Sequence, residues 1–105
     1  MTKLELIQQM IALEETREAS LECPDDVRYV ISAIHETKYV NSLTVAFERL
    51  CNKYLGERLY EEVMWFLYDR PKNSATITVD EKVYNITDSE TFIAYLNEEY
   101  KDALG

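Results

Sequence analysis

Glycine, histidine and cysteine are scarce in this chain, which contains two, one and two of them respectively. Two glycines are too few for the glycine-rich loop that cradles a phosphate group. His35-Glu36 begins like the zinc motif H-E-x-x-H, but Tyr39 stands where the second histidine is required. We therefore expect no metal, no cofactor and no enzymatic activity.

The two cysteines, Cys23 and Cys51, form no C-x-x-C pair, and the N-terminus reads as an amphipathic helix rather than an export signal. This usage is typical of the reducing cytosol, so we expect a cytoplasmic protein with both thiols buried as small hydrophobes. The alternative is a small enzyme that uses a carboxylate pair or Cys23, whose position at a helix start could lower its pKa.

Long hydrophobic runs are also absent. The longest uncharged apolar stretch, residues 63–68, has six residues, which is too short to cross a membrane. Basic residues are few, with 11 against 20 acidic ones and a net charge of −9 at pH 7. Because nucleic acids and anionic membranes require clustered Lys and Arg, we expect neither as a partner, and a basic protein surface instead. The alternative is that the acidity serves solubility alone.

The length and the hydrophobic periodicity predict a single α+β domain, 1–105, that is mainly helical. Four helices are followed by a two-stranded β-hairpin and a C-terminal helix. Capping residues, proline, glycine and apolar spacing place the helices at about 3–20, 24–38, 42–55, 57–69 and 88–100, and the strands at 75–79 and 83–86. We expect a capping box at Thr87 to open the last helix, and residues 101–105 to fray.

The predicted centre of the fold is the stretch 59–68, LYEEVMWFLY, which holds the only tryptophan. Its second half is apolar on every side, so it cannot lie on a surface. We expect a buried helix that is enclosed by the other elements or by a second copy of the chain.

Carboxylates cluster within thirteen residues, 14–26, opposed only by Arg17, and smaller sets lie at 57–62 and 98–102. On the predicted first helix Glu14, Glu18 and Glu22 share one face. Rows of carboxylates can imitate nucleic-acid phosphates and occupy a basic groove; the alternative is that they are only solvated helix faces. The predicted acidic partner-binding residues are Glu14, Glu15, Glu18, Glu22, Asp25 and Asp26.

Tyrosine is abundant, with eight residues, and several of them fall at the edges of the predicted apolar stripes. Tyrosine combines apolar area with a polar tip and is enriched at interfaces. The predicted aromatic contact patch consists of Tyr29, Tyr60, Trp65 and Tyr68. The alternative is that these side chains wall a small core.

Three stretches of the second half form a recognisable pattern: W-F-L-Y-D at 65–69, I-T-V-D-x-K-x-Y-x-I at 77–86, and SETFIAYL at 89–96. This half of the chain resembles small proteins encoded by bacteriophages and prophages. The resemblance implies a phage-type origin and the cytoplasm of a bacterial host. It implies no catalytic or binding residue, because the matching positions are structural.

The charge, the lack of a catalytic constellation and the resemblance together predict a non-enzymatic, phage-type protein that binds and inhibits a host protein. The expected class is anti-defence, of the anti-CRISPR or anti-restriction type, acting through acidic and tyrosine-rich surfaces. The alternative is a homo-oligomeric structural or assembly protein of a phage.

Overall fold

The computed structural model describes residues 1–18, 22–37, 41–71 and 75–105. Within them the chain is mainly helical with one antiparallel β-hairpin, which confirms the predicted α+β fold. In chain order the elements are α1 (Lys3–Thr16), α2 (Asp25–Thr37), α3 (Asn41–Tyr54), α4 (Glu57–Met64), a π-helical segment (Trp65–Asp69), β1 (Ala75–Val79), β2 (Lys82–Ile86), α5 (Ser89–Glu99) and α6 (Lys101–Leu104).

Helix α1 begins where the sequence predicts and ends earlier. The Thr2 hydroxyl accepts the Glu5 N–H at 3.1 Å, and the Glu5 carboxylate accepts the Thr2 N–H at 3.0 Å. The predicted end at residue 20 is wrong, because Arg17 adopts a left-handed conformation with φ 62 and donates its N–H to the Leu13 carbonyl. A left-handed residue at this position closes a helix. Residues 19–21 lie outside the described part of the chain.

Helix α5 is capped by Asp88 rather than by the predicted Thr87. The Asp88 carboxylate accepts the Thr91 N–H at 2.9 Å, and the Thr91 hydroxyl accepts the Asp88 N–H at 3.1 Å. The predicted fraying of residues 101–105 is also wrong, because 101–104 form α6. Lys3 Nζ donates to the Ala103 carbonyl at 3.1 Å, which joins the start of α1 to the end of the chain.

The hairpin pairs Ile77 with Tyr84 and closes through a two-residue turn at 80–81. Asp80 adopts φ 55, a left-handed conformation that Asp tolerates better than most residues, so the turn forms without glycine. Strand β2 therefore starts one residue before the predicted position. One face of the hairpin packs on the core, since Ile77, Val79 and Tyr84 are half-buried and Ile86 is buried.

The apolar run 63–68 is buried or half-buried at every position, as its composition predicts. Its last four residues together with Asp69 extend α4 as a π-helix, in which the Arg70 N–H donates to the Trp65 carbonyl five residues back at 2.7 Å. Phe66 in this segment stacks on Phe92 of α5, with ring centroids 4.2 Å apart.

The core joins α1 to α5 and the hairpin around this run. Helix α1 packs against both α2 and α5, α3 packs against α2 and α4, and α5 packs against β2. The fully buried side chains with the largest volumes are Phe47, Phe92, Ile7, Met10, Ile31, Leu55, Leu59, Ile86 and Leu96. The contact between α1 and α5 has one side open to solvent, where a groove lies between the two helices.

Candidate functional site

The end of α1 divides the predicted acidic residues into inward and outward sets. Glu14 follows Ile7 and Met10 at helical spacing, so it lies on the buried stripe and is half-buried itself. Its Oε1 lies 3.7 Å from His35 Nδ1 of α2. Glu18 lies beyond the helix. The predicted common face of Glu14, Glu18 and Glu22 is therefore wrong, because the helix that would align them stops at residue 16.

Glu14 belongs to a partly exposed polar cluster between the helices. Burial raises the pKa of its carboxyl group, and this rise is opposed by the charge of His35 and by the Tyr68 hydroxyl. The cluster therefore links α1, α2 and the π-helical segment. Glu14 thus binds other side chains of the same chain, and the sequence pattern does not indicate these contacts.

Asp26 is also engaged within the chain. Its carboxylate accepts the Tyr54 hydroxyl at 3.0 Å, Lys53 Nζ at 3.2 Å and the Val27 N–H at 2.9 Å. Desolvation alone would raise the pKa of Asp26, but the hydrogen bonds from Lys53 and Tyr54 lower it overall. Asp26 therefore fastens the start of α2 to the end of α3.

The remaining predicted acids are exposed and make no ion pair or hydrogen bond through their carboxylates with any described residue. They are Glu15, Glu18, Glu22 and Asp25. Together they form the acidic strip, a name used below for these four residues. The strip begins in the last turn of α1 and ends in the first turn of α2.

The predicted aromatic residues do not form one patch. Tyr60 and Tyr68 both pack on Phe47 of α3, with ring centroids 6.2 and 5.6 Å from it. Trp65 is half-buried and borders a hollow next to β1 instead. Tyr29 of α2 is 74% exposed. Three of the four thus wall the core, which is the alternative that the sequence left open, and Tyr29 alone is freely exposed.

A groove between α1 and α5 is the surface feature that sequence reasoning missed. Its volume is about 470 Å³, and residues of both helices line it at helical spacing. Its apolar part is formed by buried Ile11, half-buried Ala12 and Ile93, and exposed Ala94. The two alanines have short side chains, so the helices leave space between them here.

Polar and acidic residues edge this groove. Glu15 and Glu90 are exposed lining residues, and neither makes an ion pair with a described residue. Among the described residues, no Lys or Arg lines it. The other polar lining residues are Gln8, Thr16, Ser89 and Asn97. The groove therefore combines an apolar floor with a negative edge, and Glu15 belongs both to it and to the acidic strip.

The cysteines are poorly suited to nucleophilic chemistry. Burial raises the pKa of Cys51 to about 12 and raises the pKa of Cys23 as well. The expectation that a helix start would lower the pKa of Cys23 is therefore wrong. Both thiols are free and buried. In the part of the chain that the structure describes, no three His, Cys, Asp or Glu residues are placed to hold a metal ion.

None of the described helices combines the length and the apolar character needed to cross a membrane. No protein-family model matches the sequence, and no match was found among curated proteins or solved structures. Function therefore has to be argued from this chain's own surface.

Proposed function

We propose that the protein is a non-enzymatic, phage-type inhibitor that binds a basic surface of a host protein through the acidic strip. The observation that carries this proposal is that Glu15, Glu18, Glu22 and Asp25 are exposed, whereas nearby Glu14 and Asp26 are engaged by other side chains of the same chain. Carboxylates without internal partners are available to another protein.

The charge of the whole chain supports the same proposal. A net charge of −9 attracts a basic partner over long range and speeds its association. The expected target class is a nucleic-acid-binding defence protein of the host. Such proteins carry Lys and Arg where phosphates bind, and exposed carboxylates on a folded domain would compete for those positions.

Capture from a bacterial lysate tests the proposal when the charge of the strip is varied separately from the charge of the whole chain. In the strip variant, four carboxylates become amides: Glu15→Gln, Glu18→Gln, Glu22→Gln and Asp25→Asn. The matched control removes four exposed carboxylates elsewhere: Glu36→Gln, Glu48→Gln, Asp69→Asn and Glu81→Gln. Both variants have a net charge four units less negative than the parent.

We expect the parent and the control to retain a protein that elutes as salt is raised, and the strip variant to lose it. Equal retention by the two variants would show that only overall charge matters. If no salt-sensitive partner is captured at all, the proposal is rejected.

A homo-oligomeric assembly protein remains the alternative prediction. Its sequence argument was that a second copy completes the burial of residues 63–68. In the single chain none of those residues is exposed, so this burial does not require a second copy. Light scattering that gives a monomer at high micromolar concentration would remove the alternative.

A further inference from the structure

The groove between α1 and α5 differs from the acidic strip because it offers apolar contact as well as charge. Ile11 is only 4% exposed and forms its floor, while Ile93 is half-buried beside it. A volume of about 470 Å³ lies within the range of pockets that enclose a ligand group. The floor can therefore receive bulky apolar side chains from outside.

We infer that this groove binds an amphipathic, basic helix of the partner protein. A groove between two helices accepts a third helix whose apolar side chains recur at i, i+3, i+4 and i+7. In this arrangement the apolar side chains contact Ile11 and Ile93, and flanking Lys or Arg residues pair with Glu15 and Glu90. The inference deepens the proposed function and rests on it for the identity of the partner as a host protein.

Charge complementarity selects this occupant over two others. A second copy of the chain would bring a net charge of −9 against the same negative edge, which disfavours self-association. An anionic membrane would be repelled for the same reason. A basic helix is the occupant whose charge and apolar stripe both match.

The first test uses synthetic peptides. The probe, called the Leu/Lys peptide, is a short helical peptide with leucines at i, i+3, i+4 and i+7 and lysines on its flanks. The control, called the Leu/Glu peptide, carries Glu in place of every Lys. We expect the Leu/Lys peptide to bind saturably, measured by fluorescence anisotropy, and the Leu/Glu peptide not to bind. If no saturable binding is seen at protein concentrations up to about 1 mM, the Kd is weaker than about 1 mM and the inference is overturned.

Two variants of the protein test whether the peptide binds in the groove. Ala94→Phe fills it at an exposed position, and Asn52→Leu adds a hydrophobic side chain at an exposed position of α3 that does not line it. We expect Ala94→Phe to weaken the Leu/Lys peptide by about tenfold or more, and Asn52→Leu to leave it unchanged. Equal affinities would overturn the inference, and circular dichroism checks that both variants are folded.

The negative edge is tested by charge reversal. Glu15→Lys with Glu90→Lys should weaken the Leu/Lys peptide and allow the Leu/Glu peptide to bind. The control reverses two exposed carboxylates away from the groove, Glu48→Lys with Glu81→Lys, and should preserve the original preference. An unchanged preference in the groove variant would contradict the inference.

The experiments distinguish a wrong inference about the groove from a wrong proposed function. If the parent and Ala94→Phe capture the same host protein equally, the groove inference fails while the proposed function stands. If no host protein is captured but the peptide binds in the groove, the peptide site stands and the proposed function fails.

Discussion

The two faces of α5 differ in how completely the fold uses them. Towards α4, the π-helical segment and the hairpin, Phe92 stacks on Phe66 and Tyr95 packs edge-on against Tyr84 at 5.0 Å. Towards α1, short or half-buried side chains such as Ala94 and Ile93 leave a groove. One helix thus contributes a closed core on one side and an open surface on the other.

The carboxylates of α5 also differ in whether the fold binds them. At the C-terminal end of α5, Glu98 pairs with Lys82 at 2.9 Å and Glu99 accepts the hydroxyl of Tyr84, whose pKa this bond raises. At the N-terminal end Glu90 has no such partner among the described residues. The number of carboxylates in a sequence therefore overstates the charge that is free to bind a partner.

The largest expected effect on stability comes from truncating a side chain on the closed face of α5 and comparing it with a truncation on the groove face. Phe92→Ala removes a ring that is fully buried, and we expect it to lower the free energy of unfolding by about 3–5 kcal/mol. Ile93→Ala on the groove side should cost about 1 kcal/mol because the side chain is only half-buried. Urea denaturation measures both.

Should Phe92→Ala fail to fold, Phe92→Leu keeps the comparison measurable, with a smaller loss that still exceeds that of Ile93→Ala. Equal losses at the two positions would show that the faces are equally packed.

A smaller effect compares two adjacent carboxylates. Asp26→Asn weakens the hydrogen bonds to Tyr54 and Lys53, and we expect a loss of about 1 kcal/mol at pH 7, since the site is partly exposed. Folding lowers the pKa of Asp26 below 3.8, so this stabilisation is present above pH 3.8 and is lost as the pH falls through the folded-state value.

The neighbouring Asp25→Asn is the control, because Asp25 is exposed and no described side chain binds its carboxylate. Denaturation curves at neutral and acid pH should show a pH-dependent gap between Asp26→Asn and the parent chain. A gap of the same size for Asp25→Asn would refute the assignment of Asp26 to the α2–α3 contact.

The smallest expected effect concerns the exposed pair between the hairpin and α5. Lys82→Ala removes the ion pair with Glu98, and we expect a small loss of stability, below that of Asp26→Asn, that disappears at about 1 M salt. Lys101→Ala, at an exposed position without an ion pair among the described residues, is the matched control. A loss as large as that of Asp26→Asn would mean that this edge of the fold depends on charge more than exposed pairs usually do.

The ends of the helices were predictable where the sequence offers a single capping pattern. Thr2 and Glu5 form the capping box that their spacing predicts. At the start of α5 two such signals lie one residue apart, Thr87 with Glu90 and Asp88 with Thr91, and the second forms because the Thr91 hydroxyl accepts two backbone N–H groups. The early end of α1 gave no signal, because Arg17 rather than glycine takes the left-handed conformation.

The candidate site was predictable only in part. The acidic composition indicated a binding surface, but which carboxylates remain free depends on partners that are distant in sequence, such as His35 for Glu14 and Tyr54 for Asp26. The groove depends on Ala12 lying near Ala94. Helical periodicity assigns each alanine to a face of its own helix, but it does not indicate which helix stands opposite.

The π-helical segment bears on how related chains would vary in length. Its hydrogen bond spans five residues, from Arg70 to Trp65, so the turn holds one residue more than the α-helical turn it replaces. Losing one residue within 65–69 would restore an α-helical turn and leave the orientation of the following chain nearly unchanged, because the wider turn absorbs the extra residue. Homologues are therefore expected to differ here by single-residue insertions or deletions, and an alignment of distant relatives would need its gap at this turn.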